Sequence, residues 1–436
     1  MQPQGHGRHH GKVERGAYAP AETGAPERRG CNPFRALIIV LKSSSTLGAC
    51  TNVLIPFVPI GLVLHWLKPE WHLPIFLTNY LAMIPMANLL AFSSAQFARR
   101  LPRVLGVVIQ LSVAAAVEII LCLMLLFKNQ YEVIKAALLG SMLANLLLCT
   151  GLCFVAGGIR QKEQEFSETV VETGGGLLLL SVAALMLPCA FFESVSALKS
   201  YTPEQLEHKI LHISRFTAVL LLIAFALYLL FQLATHHSEF DEALAESEAR
   251  NKDRLEEIRK QNLTISEAAF FTLLSLALVT LHAYFLVGQI HYIVAKNNVP
   301  DAFIGLILVP LVEKAAEHLK GIDEAWNNAM DHALAHLLGS TIQTALLVSP
   351  IVVLVSWAAH KTFDLNFEIF MVIALVFAVL IVGNFIKDRK SNYLEGALCV
   401  IFYLLIAVTT WYYPNPAGEG AEATGGTEGM NSTIGH

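Results

Sequence analysis

The chain has 436 residues, 55% of them hydrophobic and 15% charged, with a mean hydropathy of +0.54 and a formal net charge of −5. That balance excludes a soluble globular enzyme and supplies no basic face for nucleic acid; it describes a multi-spanning protein whose main surroundings are a lipid bilayer. Most of the seven cysteines fall inside apolar runs without a CxxC pair, so they read as small packing residues rather than a disulfide frame or zinc site.

In chain order, residues 1–33 are rich in Gly, His, Pro and Arg and read as a disordered cytosolic tail. Residues 34–70 hold a leading helix, 71–236 a first five-helix repeat, 237–264 an acidic linker helix, 265–414 a second five-helix repeat, and 415–436 a low-complexity, disordered tail. About eleven spans are expected, near 48–66, 75–97, 104–128, 133–158, 174–196, 213–235, 267–293, 300–321, 329–357, 366–386 and 393–412. They should be helices, since a spanning segment must satisfy its own backbone and no barrel-like alternation of about ten residues occurs.

Arg99, Arg100, Arg103, Arg160, Lys162, Lys387, Arg389 and Lys390 fall on one set of connections, with single lysines such as Lys68, Lys128 and Lys296 on the other. This asymmetry places the N-terminus in the cytosol and the C-terminus in a lumen. The linker "THHSEFDEALAESEARNKDRLEEIRKQN" reads as one amphipathic helix; its interspersed charges favour a solvated connection over a cation sensor.

The two halves repeat. "AAAVEII" at 114–120 precedes "LLGSMLANLLL" at 138–148, and "EKAAEHL" at 313–319 precedes "LLGSTIQTALL" at 337–347. A single offset of 199 aligns Glu118 with Glu317, Ser141 with Ser340, Ala144 with Gln343 and Asn145 with Thr344. A carboxylate within a membrane helix costs roughly 2.5–3.5 kcal/mol on insertion scales and marks an ion path or proton relay far more often than simple packing. Two on related helices define one site; with carbonyl and amide oxygens they meet calcium's preference for hard oxygen ligands, and protons compete for the same carboxylates.

"LLGSMLANLLLCTGLCFVAGGI", "FIGLILVPLVEKAAEH", "LLGSTIQTALLVSP" and four further blocks between residues 33 and 414 resemble the fungal and plant vacuolar calcium/proton exchangers of the calcium/cation antiporter superfamily. The resemblance implies an all-α membrane fold of eleven spans, two inverted five-helix repeats and an acidic helix between them. It implies Glu118 and Glu317 as calcium ligands, with Ser340, Gln343, Ser141, Asn145 and backbone carbonyls along the path and His318 beside it. Calcium is then cargo rather than cofactor, protons are the counter-substrate, the vacuolar membrane is the location, and self-association is left open.

The chain departs from that family at the site. Gly-Asn becomes Ala114-Ala115 in the first motif and Glu313-Lys314 in the second, and the Glu of a His-Ala-Glu-Phe motif becomes Tyr284. Lys314, one turn before Glu317, should repel calcium unless it pairs with Glu313 or is neutral. The alternative function is therefore a divergent paralogue that carries monovalent cations or regulates active exchangers. His332 and His336, four apart, read as interfacial or pore-lining rather than as zinc ligands, and no HExxH points to an enzyme.

Overall fold

The computed structural model describes residues 38–40, 46–199, 201–251, 263–297 and 299–414. The expected tails at 1–33 and 415–436 and the linker stretch 252–262 lie outside the described residues. The helices are α1 (Thr46–Thr51), α2 (Phe57–Leu67), α3 (His72–Ala98), α4 (Arg103–Phe127), α5 (Tyr131–Leu143), α6 (Thr150–Arg160), α7 (Glu168–Leu198) and α8 (Pro203–Leu230). After them come α9 (His237–Arg250), α10 (Ile265–Asn297), α11 (Val309–Glu313), α12 (Ala315–Trp326), α13 (Met330–Gln343), α14 (Ser349–Ala358), α15 (Ile369–Phe385) and α16 (Tyr393–Trp411).

Nine helical segments among the described residues are long and apolar enough to cross a bilayer. The other two expected spans differ for identifiable reasons. In the leading one, Pro56 separates α2 from the preceding turns, and the apolar stretch Asn52–Leu67 is short. The one near 300–321 is interrupted: Pro310 lacks an N–H for the helical ladder, and Lys314 leaves helical geometry at φ −89°, ψ 3° between α11 and α12. Of the linker, the described part is helical as α9 up to Arg250, and Asn251, a weak helix former, is not helical.

Two segments form the centre. Tyr131–Arg160 and Met330–Ala358 bury 83% and 72% of their most apolar windows, whereas Pro203–Thr235 buries 17% and presents residues such as Phe216, Leu220 and Leu227 to the bilayer. Each central segment contains a turn of π-helix at the same register, Ala144–Cys149 between α5 and α6 and Thr344–Val348 between α13 and α14. At these turns the Thr150 and Ser349 hydroxyls donate to the carbonyls five residues back, those of Asn145 and Thr344, at 2.9 and 3.0 Å. All four residues obey the offset of 199, so the halves share a local backbone device as well as sequence.

The first helices of the two halves, α3 and α10, pack antiparallel, as an inverted pair requires. His72 Nδ1 donates to Gln289 Oε1 and His282 Nδ1 to Asn79 Oδ1, both at 2.7 Å. The two rungs stand seven residues apart on each helix and fix its register. Tyr284 lies on the outer side, 52% exposed.

Close backbone approach locks the centre. Gly140 on α5 faces the Leu306 carbonyl in the π-helical turn Ile304–Leu308, and any Cβ there would overlap that carbonyl. Gly140→Ala should therefore destabilise the fold by about 1–3 kcal/mol, seen as a lower melting temperature of the detergent-purified protein. An unchanged melting temperature would mean that the crossing has room to relax.

Candidate ion-binding site

Glu118 lies on α4, Ser141 and Asn145 on the first central segment, Glu313, Lys314, Glu317 and His318 around the α11–α12 break, and Ser340 and Thr344 on the second central segment. Lys314, held in a sparsely populated backbone region, turns its ammonium across the repeat interface. Its Nζ donates to Glu118 Oε2 at 2.9 Å and to Ser340 Oγ at 3.3 Å. Glu313 Oε1 is 3.6 Å from it and Glu317 Oε2 3.9 Å. Sequence reasoning offered adjacent Glu313 as the pairing partner; the nearer oxygen belongs to Glu118, 196 residues away.

The remaining polar groups form a directed chain. His318 Nε2 donates to Asn145 Oδ1 (3.1 Å), Asn145 Nδ2 to Ser340 Oγ (3.1 Å), and Ser340 Oγ to Glu317 Oε2 (2.6 Å). Thr344 Oγ1 donates to Glu118 Oε2 at 2.8 Å. Ser340 thus uses its one donor and accepts twice, tying both halves to one hydroxyl. Removing that hydroxyl would leave the Asn145 amide and one Glu317 oxygen short of a partner, in a place that is costly for unpaired polar groups.

The site is sealed. Glu118 is 2% exposed, Lys314 3%, and Glu313 and His318 7%. Glu118 Oε1, Glu313 Oε1 and Ser141 Oγ are buried without a hydrogen bond among the described residues. Each retains lone pairs able to face a cation. Gln343 is turned elsewhere: its Nε2 donates to the Leu111 carbonyl on α4 at 2.7 Å.

Sequence reasoning named Thr344 only as the mate of Asn145 and did not anticipate its bond to Glu118. Nor did it find the seam of His72, Asn79, His282 and Gln289, although seven-residue spacing on two apolar helices is a readable signal. His332, weighed with His336 as a metal pair, places its Nε2 3.1 Å from the Leu244 carbonyl and so holds α9. Among the described residues, no group of three or more His, Cys, Asp or Glu side chains is arranged around a metal position. The polar set is three carboxylates with hydroxyls and an amide, gathered around the ammonium of a lysine.

The model of the sodium/calcium exchanger protein family matches residues 71–234 and 267–412. The vacuolar calcium ion transporter of Schizosaccharomyces pombe is 34% identical over 86% of this chain and 88% of its own length. Vacuolar cation/proton exchanger 3 of Oryza sativa subsp. japonica is 31% identical over 88% of this chain and 89% of its own. The solved structure of native YfkE shares the fold, with a TM-score of 0.67 at 24% identity, covering 87% of this chain and all of that one. With both halves matched and repeat-related carboxylates facing one buried cluster, the chain belongs to the sodium/calcium exchanger protein family.

Proposed function

We propose that this chain is a secondary active antiporter that exchanges calcium for protons across an organelle membrane by alternating access of its two halves. The observation that carries this reading is the convergence of Glu118 and Glu317, mates under one internal offset, on a buried cluster with Ser340, Asn145 and Thr344. Calcium entering that cluster would take oxygens from both halves at once, and protons arriving on the same carboxylates would release it. The work is binding and conformational exchange, with no covalent step and hence no enzyme chemistry.

The same reading assigns the finer features. Residues 71–236 and 265–414 act as the two moving repeats, the N-terminus is cytosolic and the C-terminus luminal. The vacuolar membrane is the location that the relatives' names support. Lipid is the surrounding partner, and a homo-oligomer is compatible with the apolar outer faces.

The test is calcium uptake into proteoliposomes with an acidic interior. Uptake should require the pH gradient, vanish with an uncoupler, and fall at least 100-fold in Glu317→Gln protein. Gradient-dependent uptake that persists in that variant would remove Glu317 from the site.

One observation supports a second reading: the Lys314 ammonium beside Glu118 already supplies one positive charge. A site so filled suits a monovalent cation, or a regulator of active exchangers that does not transport. Sodium or potassium flux abolished by Lys314→Ala would support the exchanger form, and co-purification with an active exchanger without flux the regulator. The named functions of the relatives favour calcium.

A further inference from the structure

We infer that Lys314 is a tethered competitor for the transported cation: its ammonium sits where the ion binds between Glu118 and Glu317, and it yields by moving to Glu313. This rests on the calcium antiport reading and adds to it a residue that sets apparent affinity.

Lys314 Nζ lies 2.9 Å from Glu118 Oε2 and 3.9 Å from Glu317 Oε2, and donates to the same Ser340 hydroxyl that binds Glu317. An ammonium and a calcium ion make the same demand here, oxygen atoms from both halves around a positive centre, and the two cannot share the place. Their mutual repulsion, in a site where Glu118, Glu313 and Lys314 are buried and the Glu317 side chain is 13% exposed, is weakly screened.

The geometry also provides somewhere for the ammonium to go. Glu313 Oε1 is buried, has no hydrogen bond among the described residues, and lies 3.6 Å from Nζ. A small change in the Lys314 side chain converts that separation into a hydrogen bond and vacates the space beside Glu118. The joint that carries the lysine sits between two short helices rather than inside a rigid one.

Charge balance points the same way. With all three carboxyl groups ionised, as they would be with the ion bound, three carboxylates against one ammonium leave two negative charges, the quantity that one calcium ion neutralises. Moving Lys314 onto Glu313 pairs two adjacent residues of opposite charge and leaves Glu118 and Glu317 facing the ion. The pair Glu313-Lys314 is therefore neutral as a unit and becomes inhibitory only when its positive end leans into the site.

The experiment measures calcium binding calorimetrically on the full-length purified protein and half-saturating calcium for pH-driven uptake in proteoliposomes. Lys314→Asn should lower half-saturating calcium roughly 100-fold in both measurements. Lys314→Arg, which keeps the charge, should stay near wild type. Glu313→Gln, which removes the receiving carboxylate, should raise half-saturating calcium several-fold. The inference is overturned if Lys314→Asn leaves affinity unchanged while uptake continues, a result that spares the antiport reading. It is equally overturned if Lys314→Arg gains affinity as Lys314→Asn does, since packing rather than charge would then be the cause. Absence of calcium binding and uptake in wild type and Lys314→Asn alike would sink the antiport reading together with this one.

Discussion

Glu118→Gln protein should unfold at a markedly lower temperature than wild type, with a stability loss of about 3–5 kcal/mol, and adding Lys314→Met to it should restore a large part of that loss. The single change strands a buried ammonium: Lys314 keeps its desolvation cost and loses its nearest counter-ion, which stood 2.9 Å away. Glu317 at 3.9 Å and Glu313 at 3.6 Å compensate only in part. Lys314→Met alone should also destabilise, because three carboxylates would then crowd one dry cluster. The double variant removes one charge of each sign and leaves Thr344 an amide to bond. A thermal-unfolding cycle on the four proteins, without calcium, gives the coupling directly. Additive losses would mean that the two side chains do not meet, whereas a favourable coupling of 1 kcal/mol or more is expected for residues in contact. Calcium should then raise the melting temperature of Lys314→Met more than that of wild type, since tighter binding to the folded state alone adds stability by mass action.

How much of this was legible in the sequence varies with the range of the interaction. Helices were readable because composition and the bilayer leave no other way to satisfy the backbone. The equivalence of Glu118 and Glu317 in the two repeats was readable because duplication keeps spacing, and the same offset recovers the two π-helical turns with their Thr150 and Ser349 hydroxyls. What the spacing could not supply was direction. Lys314 looked like the partner of its neighbour Glu313, yet successive residues of a helical segment point away from each other, and the backbone break swings Lys314 across to α4. Gln343 aligned with the apolar Ala144, so the offset gave no hint that its amide reaches the Leu111 carbonyl. Tyr284 was notable as a replaced carboxylate, but its exposure removes it from the cluster. Contacts between halves depend on rotation about helix axes, which a linear pattern specifies only loosely.

The linker shows the same limit and yields the second large effect. Its interspersed charges fit a solvated connection, but α9 is docked: Arg250 Nη2 meets Asp331 Oδ2 at 2.5 Å, and His332 Nε2 reaches the Leu244 carbonyl. Asp331 stands in the first turn of α13, where a negative charge suits the helix dipole, and also accepts from the Ser167 backbone N–H. Its side chain is fully buried, whereas that of Arg250 is 38% exposed. The two ends of this ion pair are therefore unequal. Arg250→Ala leaves a carboxylate buried beside one backbone donor and should cost about 2–4 kcal/mol, more than an exposed pair could. Asp331→Asn removes the buried charge, keeps an acceptor for Ser167 and returns Arg250 toward water, so it should cost less. Hydrogen exchange across residues 237–250 and thermal unfolding check both: protection of α9 should fall strongly in Arg250→Ala and modestly in Asp331→Asn. The reverse order would mean that Arg250 is held by the Glu165 carbonyl more than by Asp331, and that the linker is anchored to the short segment between α6 and α7. Because α13 continues from Asp331 to Ser340 and then into the turn bearing Thr344, loss of this contact frees the end of the segment that supplies two of the site's hydroxyls. Arg250→Ala should accordingly change half-saturating calcium as well as stability, although Arg250 touches neither carboxylate of the site.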